Sequence, residues 1–220
     1  PHHMTMGEGG CVYTNDAKLN RLIKSFRYWG RDCVCPSGHD NICGHRFDGQ
    51  FGELPQGYDH KYVYSHLGYN LKVTDLQAAV GVEQLKKFPS FIEARRHNWD
   101  RLRKALEPVA DKLILPEPAE NSEPSWFGFI VSVKEESGLT RNAVTRYIED
   151  HNIQTRLLFS GNIIKHPCFD QIRGTEAYRV VGDLEQTDFI MNHSFWVGGY
   201  PGMTDEKIDC MAQIIKEAVN

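Results

Sequence analysis

An α/β or α+β fold is predicted for this chain, because strand-like apolar segments alternate with amphipathic helix patterns in its C-terminal half. Before about residue 112 the sequence is mostly helical, apart from a long irregular segment over 28–60. We therefore predict two parts, residues 1–108, which end in a bridging helix, and a small α/β domain over 109–220. The strand-like segments of that small domain are residues 113–116, 126–133, 153–159 and 193–201.

The N-terminal part is predicted to hold one strand and three helices. The β-prone stretch GGCVYT at 9–14 indicates the strand. Asn15-Asp16 caps the first helix and Thr74 the second, and Pro89 is expected to break the second from a third over about 90–108. Apolar residues follow each cap at helical spacing. In the first helix they are Leu19, Leu22, Ile23 and Phe26.

In the C-terminal part, Thr140 and Thr204 are predicted to cap amphipathic helices. The stretch 175–192 has a mixed pattern and predicts no element. Four large aromatic residues lie on the predicted strands, and we expect them in the core rather than on a substrate-binding surface. They are Trp126, Phe127, Phe195 and Trp196.

Bulk composition is that of an ordinary globular protein. The 220 residues are 40% hydrophobic and 25% charged, with a net charge of -4. This charge argues against a nucleic-acid partner. No apolar run approaches the ~20 residues that a membrane span needs, and no secretory signal pattern is present, so a cytoplasmic protein is expected.

The cysteines are the strongest chemical signal in the irregular segment. Cys33, Cys35 and Cys43 fall within eleven residues in a Cys-x-Cys-x7-Cys pattern, with His39 between them. Thiolates bind zinc and iron–sulfur clusters, and the spacing alone does not choose between these two. Free thiols in a polar loop are the third reading, and a disulfide framework is not favoured in a chain of this length.

The chain opens with PHHMTMGEGG, in which a histidine pair precedes a glycine-rich turn. This start is consistent with the remnant of a purification tag or with a solvated tail. Because no strand or cap precedes the turn, we expect the sequence to begin within a larger protein.

Several long motifs in order resemble the DegT/DnrJ/EryC1/StrS sugar aminotransferase family, and within it the dehydratase branch, the CDP-6-deoxy-4-hexulose 3-dehydrases. The motifs are PHHMTMGEGG, WGRDCVC, NICGHRF, LPQGYDHKYVYSHLGYNLKVTDLQAA, ENSEPSWFGF, TRLLFSGN and SFWVGGYPGMT. The resemblance implies the C-terminal part of a PLP-dependent transferase (aspartate aminotransferase, type I) fold. Residues 1–108 would then be the end of the large cofactor-binding domain.

The resemblance also implies a role for His2. Aminotransferases of the family carry at this position the lysine that forms a Schiff base with pyridoxal phosphate. The similar dehydrases bind pyridoxamine 5′-phosphate non-covalently, and their histidine takes a proton from C4′ of the cofactor. Imidazole suits this task because its pKa lies near 6.5. His2 is therefore the expected catalytic base, with a structural role for His3.

Dehydrases with a similar cysteine loop hold a 2Fe–2S cluster. The resemblance makes Cys33, Cys35 and Cys43 cluster ligands, with a fourth cysteine upstream and His39 as a second choice. Electrons would come from an NADH-dependent flavin and iron–sulfur reductase.

The same resemblance implies contacts to cofactor and substrate. Asn70 and Lys72 fall where the family contacts the cofactor phosphate of the neighbouring subunit, which implies a homodimer. The alternative is that Asn70 is an ordinary turn residue and Lys72 a surface charge. Arg156 matches a family arginine that lies near the substrate. The alternative role for Arg156 is an interdomain salt bridge.

The expected function is removal of the C3 hydroxyl of a CDP-4-keto-6-deoxyhexose in 3,6-dideoxysugar biosynthesis, carried out by a protein of which this chain is a fragment. The alternatives are a zinc-stabilised binding module without catalysis, a PLP-dependent sugar-nucleotide aminotransferase, and a relative that has lost activity.

Overall fold

The computed structural model describes residues 3–36 and 38–220. Their contacts divide the chain into two units, Met4–Leu85 and Lys86–Asn220, and His3 is grouped with the latter. The helices are α1 (Ala17–Arg27), α2 (Asp75–Leu106), α3 (Arg141–Asp150), α4 (Glu185–His193) and α5 (Asp205–Ala218). The strands are β1 (Leu113–Ile114), β2 (Gly128–Val133), β3 (Thr155–Leu157) and β4 (Ser194–Gly198). The division between the units falls inside α2, and the predicted domain boundary at residue 108 stays a prediction.

The predicted caps of α1 and α2 are confirmed. The Asp16 carboxylate accepts from the backbone N–H groups of Lys18 at 2.8 Å and Leu19 at 3.0 Å. At the start of α2, the Gln77 N–H donates to Thr74 Oγ1 at 3.3 Å, and the Thr74 N–H donates to Gln77 Oε1 at 3.0 Å. This reciprocal pair is a capping box, which satisfies backbone donors that a helix start leaves unpaired.

The strand predicted over 9–14 does not form. Val12 and Tyr13 are 74% and 91% exposed, and no described segment pairs with this stretch. A β-prone sequence needs a neighbouring strand and a surface to pack on, and this unit offers neither.

Residues 28–33 and 63–70 run antiparallel and order the irregular segment. The Trp29 N–H donates to Tyr69 O at 2.8 Å, and the Asp32 N–H donates to Val63 O at 3.0 Å. One 3₁₀ turn, His60–Tyr62, precedes the second segment. This pairing brings the Cys-x-Cys motif, which directly follows Asp32, to the same place as the 3₁₀ turn.

The break expected at Pro89 is wrong, because α2 continues through it. Proline inside a helix costs about 3 kcal/mol, since its missing N–H leaves a carbonyl of the preceding turn unpaired. Tertiary packing offsets this cost: Trp99, Leu102 and Leu106 of the same helix are buried in the core of the second unit.

The second unit is built on a four-stranded antiparallel sheet with the strand order β1-β2-β4-β3. In the central pair, Val131 lies opposite Phe195 and Phe129 lies opposite Val197. All four of these side chains are buried. An antiparallel sheet with separate helices makes this unit α+β, as one of the two predicted classes requires.

Helices α2, α3 and α5 supply the rest of this core. Their fully buried apolar residues include Leu106 of α2, Ile148 of α3 and Ile215 of α5. The strands, α3 and α5 confirm the predicted elements. Thr140 caps α3 through its side chain, whereas Thr204 stands at the N-terminus of α5 without a side-chain capping hydrogen bond. Among the four aromatic residues expected in the core, Phe195 is fully buried and Trp126 packs against the core, whereas Phe127 is 37% exposed.

Helix α4 was missed by the sequence analysis. Its N-terminus has no side-chain cap, since Leu184 stands there with a positive φ, and none of its residues is buried. Neither a cap nor an apolar stripe therefore marks it in the sequence. No helix in the described ranges has the length and apolar composition that crossing a membrane requires.

Candidate functional site

The three clustered cysteines line one small cavity of about 10 Å³ in the first unit. Cys33 ends the segment paired with 63–70, Cys35 follows shortly after it, and Cys43 reaches the cavity from the next loop. The three cysteines that the sequence spacing singled out therefore border one cavity. The remaining lining residues are Asp40, Asn41, Arg46, His60 and Lys61.

The thiols of this cavity have different surroundings. Burial raises the pKa of the Cys33 thiol, and the neighbouring Cys35 and Cys43 side chains add to that rise. The pKa of Cys43 is instead lowered, first by the backbone N–H of His45, which donates to its sulfur at 3.5 Å, and then by His60. Cys43 is thus the thiol whose anionic form this loop favours.

His60 connects Cys43 to a carboxylate. Its Nδ1 lies 3.9 Å from Cys43 Sγ, and its Nε2 donates to Asp32 Oδ2 at 2.6 Å. The ring of Phe51 stacks on the imidazole with centroids 5.2 Å apart and planes 2° apart. The Asp32 hydrogen bond raises the pKa of His60. Burial pushes the pKa of Asp32 upward, but His60 and Arg21 outweigh burial, so this pKa is lowered.

An arginine–carboxylate pair holds the loop beside His60. Arg46 Nε donates to Asp59 Oδ1 at 2.9 Å, and Arg46 Nη2 donates to Asp59 Oδ2 at 2.6 Å. This two-point hydrogen bond lowers the pKa of Asp59 to about 2. Asp59 also accepts from the Lys61 N–H at 3.0 Å and so caps the 3₁₀ turn that carries His60.

A larger cavity of about 550 Å³ lies against the same cysteine segment. Cys33 and Cys35 belong to its wall, as does Lys61, whose Nζ donates to Asp40. Its remaining basic side chains are Lys24, Arg27, Arg31 and Lys72. Sequence analysis assigned no role to Lys24 or Arg27.

Asn70 and Lys72, the predicted cofactor ligands, lie together beside Tyr28. Asn70 forms an isolated antiparallel bridge with Tyr28, and Lys72 Nζ lies 4.2 Å from the centre of the Tyr28 ring. Lys72 faces the larger cavity. The structure thus places this lysine at a pocket, and its role toward a cofactor stays a prediction.

The other predicted residues lie elsewhere. His2 is outside the described residues, and His3 is half-buried. His39 is exposed and lines the larger cavity instead of the small cavity shared by the three cysteines. Arg156 lies on β3 of the second unit, opposite Trp196, and donates to Thr155 O at 2.8 Å.

The cysteine set suits a thiolate-bound metal in its donor chemistry, with three sulfurs in one cavity and the basic side chains of Arg46 and Lys61 beside them. In the described ranges, no group of three or more His, Cys, Asp or Glu side chains stands in a geometry that holds a metal ion. His60 was missed by the sequence analysis, which had no spacing pattern to connect it with Cys43.

Two curated proteins are similar to this chain over nearly its whole length. The lipopolysaccharide biosynthesis protein RfbH of Salmonella typhimurium is 51% identical over 216 residues, which are 98% of this chain and 48% of that protein. The dTDP-4-dehydro-2,6-dideoxy-D-glucose 3-dehydratase of Saccharopolyspora spinosa is 51% identical over 218 residues, 99% of this chain and 46% of that protein. The chain spans about half the length of the curated relatives it matches.

A solved structure is also similar, that of E. coli GDP-4-keto-6-deoxy-D-mannose-3-dehydratase with bound hydrated PLP. It has a TM-score of 0.78 and 24% identity, and the match covers 97% of this chain and 51% of that one. This likeness confirms the predicted fold class, the C-terminal part of a PLP-dependent transferase fold. The sequence profile of one family matches residues 1–216, and the chain therefore belongs to the DegT/DnrJ/EryC1/StrS aminotransferase family.

Proposed function

We propose that the protein containing this chain is a sugar-nucleotide 3-dehydratase that works with pyridoxamine 5′-phosphate and a 2Fe–2S cluster. The observation that carries the proposal is that Cys33, Cys35 and Cys43 line one cavity in a member of this family. The 51% identity with a protein named as a 3-dehydratase supports the reaction class. The proposed substrate is a CDP-4-keto-6-deoxyhexose, which loses its C3 hydroxyl in 3,6-dideoxysugar biosynthesis.

Bound pyridoxamine 5′-phosphate would supply an amine for the 4-keto carbon and an electron sink. The residues of this chain would position it. His2 would accept the proton from C4′, and Asn70 and Lys72 would hold the phosphate. Tyr28, whose ring lies under Lys72 Nζ at 4.2 Å, would keep that ammonium group in place. Arg156 would contact the substrate.

A 2Fe–2S cluster would supply electrons one at a time. Cys33, Cys35 and Cys43 would provide three of its sulfur ligands, with a fourth cysteine from upstream. In the net reaction, two electrons and two protons replace the C3 hydroxyl by hydrogen, and the hydroxyl leaves as water.

The partners in this proposal follow from the same chemistry. The two electrons would come from an NADH-dependent flavin and iron–sulfur reductase. The catalytic form would be a homodimer, in which Asn70 and Lys72 of one subunit hold the cofactor phosphate of the other.

The test is metal and sulfide analysis of the protein, purified without oxygen, together with its visible spectrum. We expect about two iron and two acid-labile sulfide per chain, as a 2Fe–2S cluster requires. A Cys33→Ser variant should lose the visible absorbance, and a Cys210→Ser variant, at an exposed thiol in the other unit, should keep it.

Two alternatives have their own outcomes in this test. Stoichiometric zinc without colour would favour a zinc-stabilised binding module, because three thiols in one cavity suit zinc as well. A sugar aminotransferase would carry no iron and would need an amine at position 2, where this chain has His2. Transfer of an amino group to a 4-keto sugar nucleotide by the unaltered protein would contradict the dehydratase proposal.

A further inference from the structure

Two glutamine side chains of α2 hold the segment that follows the histidine pair. Gln84 Oε1 accepts from the Thr5 N–H at 3.1 Å, and Gln77 Nε2 donates to Glu8 O at 2.9 Å. These bonds join residues that are 79 and 69 positions apart, so local chain geometry does not produce them. Residues 5–8, held at both ends in this way, are here called the anchored turn.

The burial pattern at the start of α2 is the reverse of the usual one. Gln77 and Gln84 are half-buried, whereas the neighbouring Leu76 and Leu85 are 82% and 59% exposed. Positions i and i+7 lie on the same face of a helix, two turns apart. Polar side chains suit this face because it meets backbone groups of the anchored turn, and such groups require hydrogen-bond partners.

Met6 contacts the same face between the two glutamines. A Cβ at Gly81 would lie 3.6 Å from Met6 Sδ, which is an ordinary packing distance. Gly81 is four residues after Gln77 and three before Gln84, so all three lie along one face. This face therefore provides a donor, a packing contact and an acceptor in a row, and it fixes the anchored turn at both ends and in the middle.

The partners determine which atom of each glutamine amide faces the anchored turn. The Thr5 N–H can only donate, so it requires the amide oxygen of Gln84. The carbonyl Glu8 O can only accept, so it requires the amide NH₂ of Gln77. The oxygen of Gln77 is already used, because it accepts from the Thr74 N–H of the capping box at 3.0 Å. Gln77 thus caps α2 and holds the anchored turn, and a glutamate at this position could perform only the capping.

We propose that Gln77 and Gln84 are positioning residues for His2. The inference rests on the proposed function, which makes His2 the proton acceptor at C4′. Thr5 is only three residues after His2, and three residues span at most about 11 Å. Fixing Thr5 to α2 therefore limits the positions that His2 can take before the cofactor binds. Proton transfer depends on such placement, because a displacement of about 1 Å can slow a reaction about 100-fold.

The first measurement is hydrogen exchange of residues 3–9 by mass spectrometry, on the intact protein without cofactor or substrate. Gln77→Glu keeps the capping box and loses the donor to Glu8 O, whereas Gln84→Glu keeps the acceptor for Thr5. Gln84→Met has a similar length and no amide oxygen. We expect exchange at least about threefold faster in Gln77→Glu and Gln84→Met, as the loss of one hydrogen bond requires, and parent-like exchange in Gln84→Glu. Thermal melts establish that each variant is folded.

The second measurement is the loss of deuterium from C4′ of labelled pyridoxamine 5′-phosphate, bound to the intact protein together with a CDP-4-keto-6-deoxyhexose. Gln77→Glu and Gln84→Met should slow this loss at least about tenfold, because the base is less well placed. The conservative variant Gln84→Glu should restore the rate that Gln84→Met loses. The Kd of the cofactor should change by less than about twofold, because a positioned base acts on proton transfer and not on binding.

The outcomes separate this inference from the proposed function. Parent-like deuterium loss in Gln77→Glu and Gln84→Met, in a protein where His2→Asn abolishes that loss, would overturn the inference and leave the proposed function standing. Deuterium loss that continues in His2→Asn would instead reject the base on which both depend. A cofactor affinity that falls in step with the rate would also overturn the inference, since the glutamines would then support binding. Equal exchange of residues 3–9 in Gln84→Glu and Gln84→Met would do the same, because the amide oxygen would not hold Thr5.

Discussion

Cys43 Sγ lies 3.9 Å from His60 Nδ1, and the opposite ring nitrogen of His60 donates to Asp32 at 2.6 Å. A carboxylate–histidine pair of this kind orients the ring and fixes which nitrogen faces the ligand atom. We expect His60→Asn to weaken retention of the proposed cluster by about 10- to 100-fold, the usual cost of losing such a partner. Iron remaining after graded exposure to a chelator measures the effect.

The matched control for that variant is His45→Asn. His45 is in the same loop, but its side chain is exposed and pairs only with Asp48. It should retain iron like the parent protein. Equal retention by the His60→Asn and His45→Asn variants would mean that His60 does not support the cysteines.

The Arg46–Asp59 pair predicts an acid sensitivity of the loop. The pKa of Asp59 is about 2 in the folded protein, against about 3.9 in an unfolded chain. Its contribution to stability is therefore complete above about pH 4 and is lost as the pH falls toward 2. The free energy of unfolding, measured from pH 6 to pH 2, should show a difference between parent and Asp59→Asn that shrinks over this window.

An Asp48→Asn variant serves as its control, because the His45–Asp48 pair is largely exposed and such pairs contribute little. A gap between parent and Asp59→Asn that stays constant from pH 6 to pH 2 would contradict the assignment.

Gly30 and Gly38 form a natural pair for testing the packing of residues 28–33 against 63–70. Both have φ near +80°, but a Cβ at Gly30 would lie 1.9 Å from His66 O, whereas a Cβ at Gly38 meets open space. Gly38→Ala should lower the free energy of unfolding by only about 1–2 kcal/mol, the cost of the left-handed backbone conformation for a residue with a Cβ. Gly30→Ala should separate the two segments, and the Trp29 amide, bonded to Tyr69 O, should then exchange hydrogen much faster. Equal exchange in the two variants would contradict this close approach.

Phe195 anchors the core of the second unit. It is fully buried at the centre of the sheet, opposite Val131. Phe195→Ala should lower the free energy of unfolding by about 3–5 kcal/mol, because it leaves a cavity among packed strands and helices. Leu157→Ala, on the exposed edge strand β3, should cost far less. Denaturant unfolding of the two variants is the measurement, and similar losses would place Phe195 outside the core.

Local signals made much of the fold predictable. Asp16, Thr74 and Thr140 each cap a helix through a hydrogen bond to a neighbour in sequence, so their effect can be read directly from the chain. Pro89 misled because packing of residues far along α2 outweighs its local cost. Helix α4 had no local cap to reveal it.

The candidate site was likewise predictable only where its residues are close in sequence. Cys33, Cys35 and Cys43 are close in sequence, and their clustering followed from spacing alone. His60 joins Asp32 and Cys43 only because two segments about thirty residues apart pair with each other. The larger cavity likewise joins Lys24 and Arg27 of α1 to Lys72, and no periodicity in the sequence connects them.

The unit that carries the cysteine segment buries very little apolar surface. In Met4–Leu85, Val63 is the only buried hydrophobic side chain among the described residues, while Leu67 and Leu76 are largely exposed. A unit that hides so little apolar surface gains little heat capacity when it melts. The heat-capacity increment that calorimetry of this chain records should therefore come mainly from Lys86–Asn220, which holds the buried apolar core.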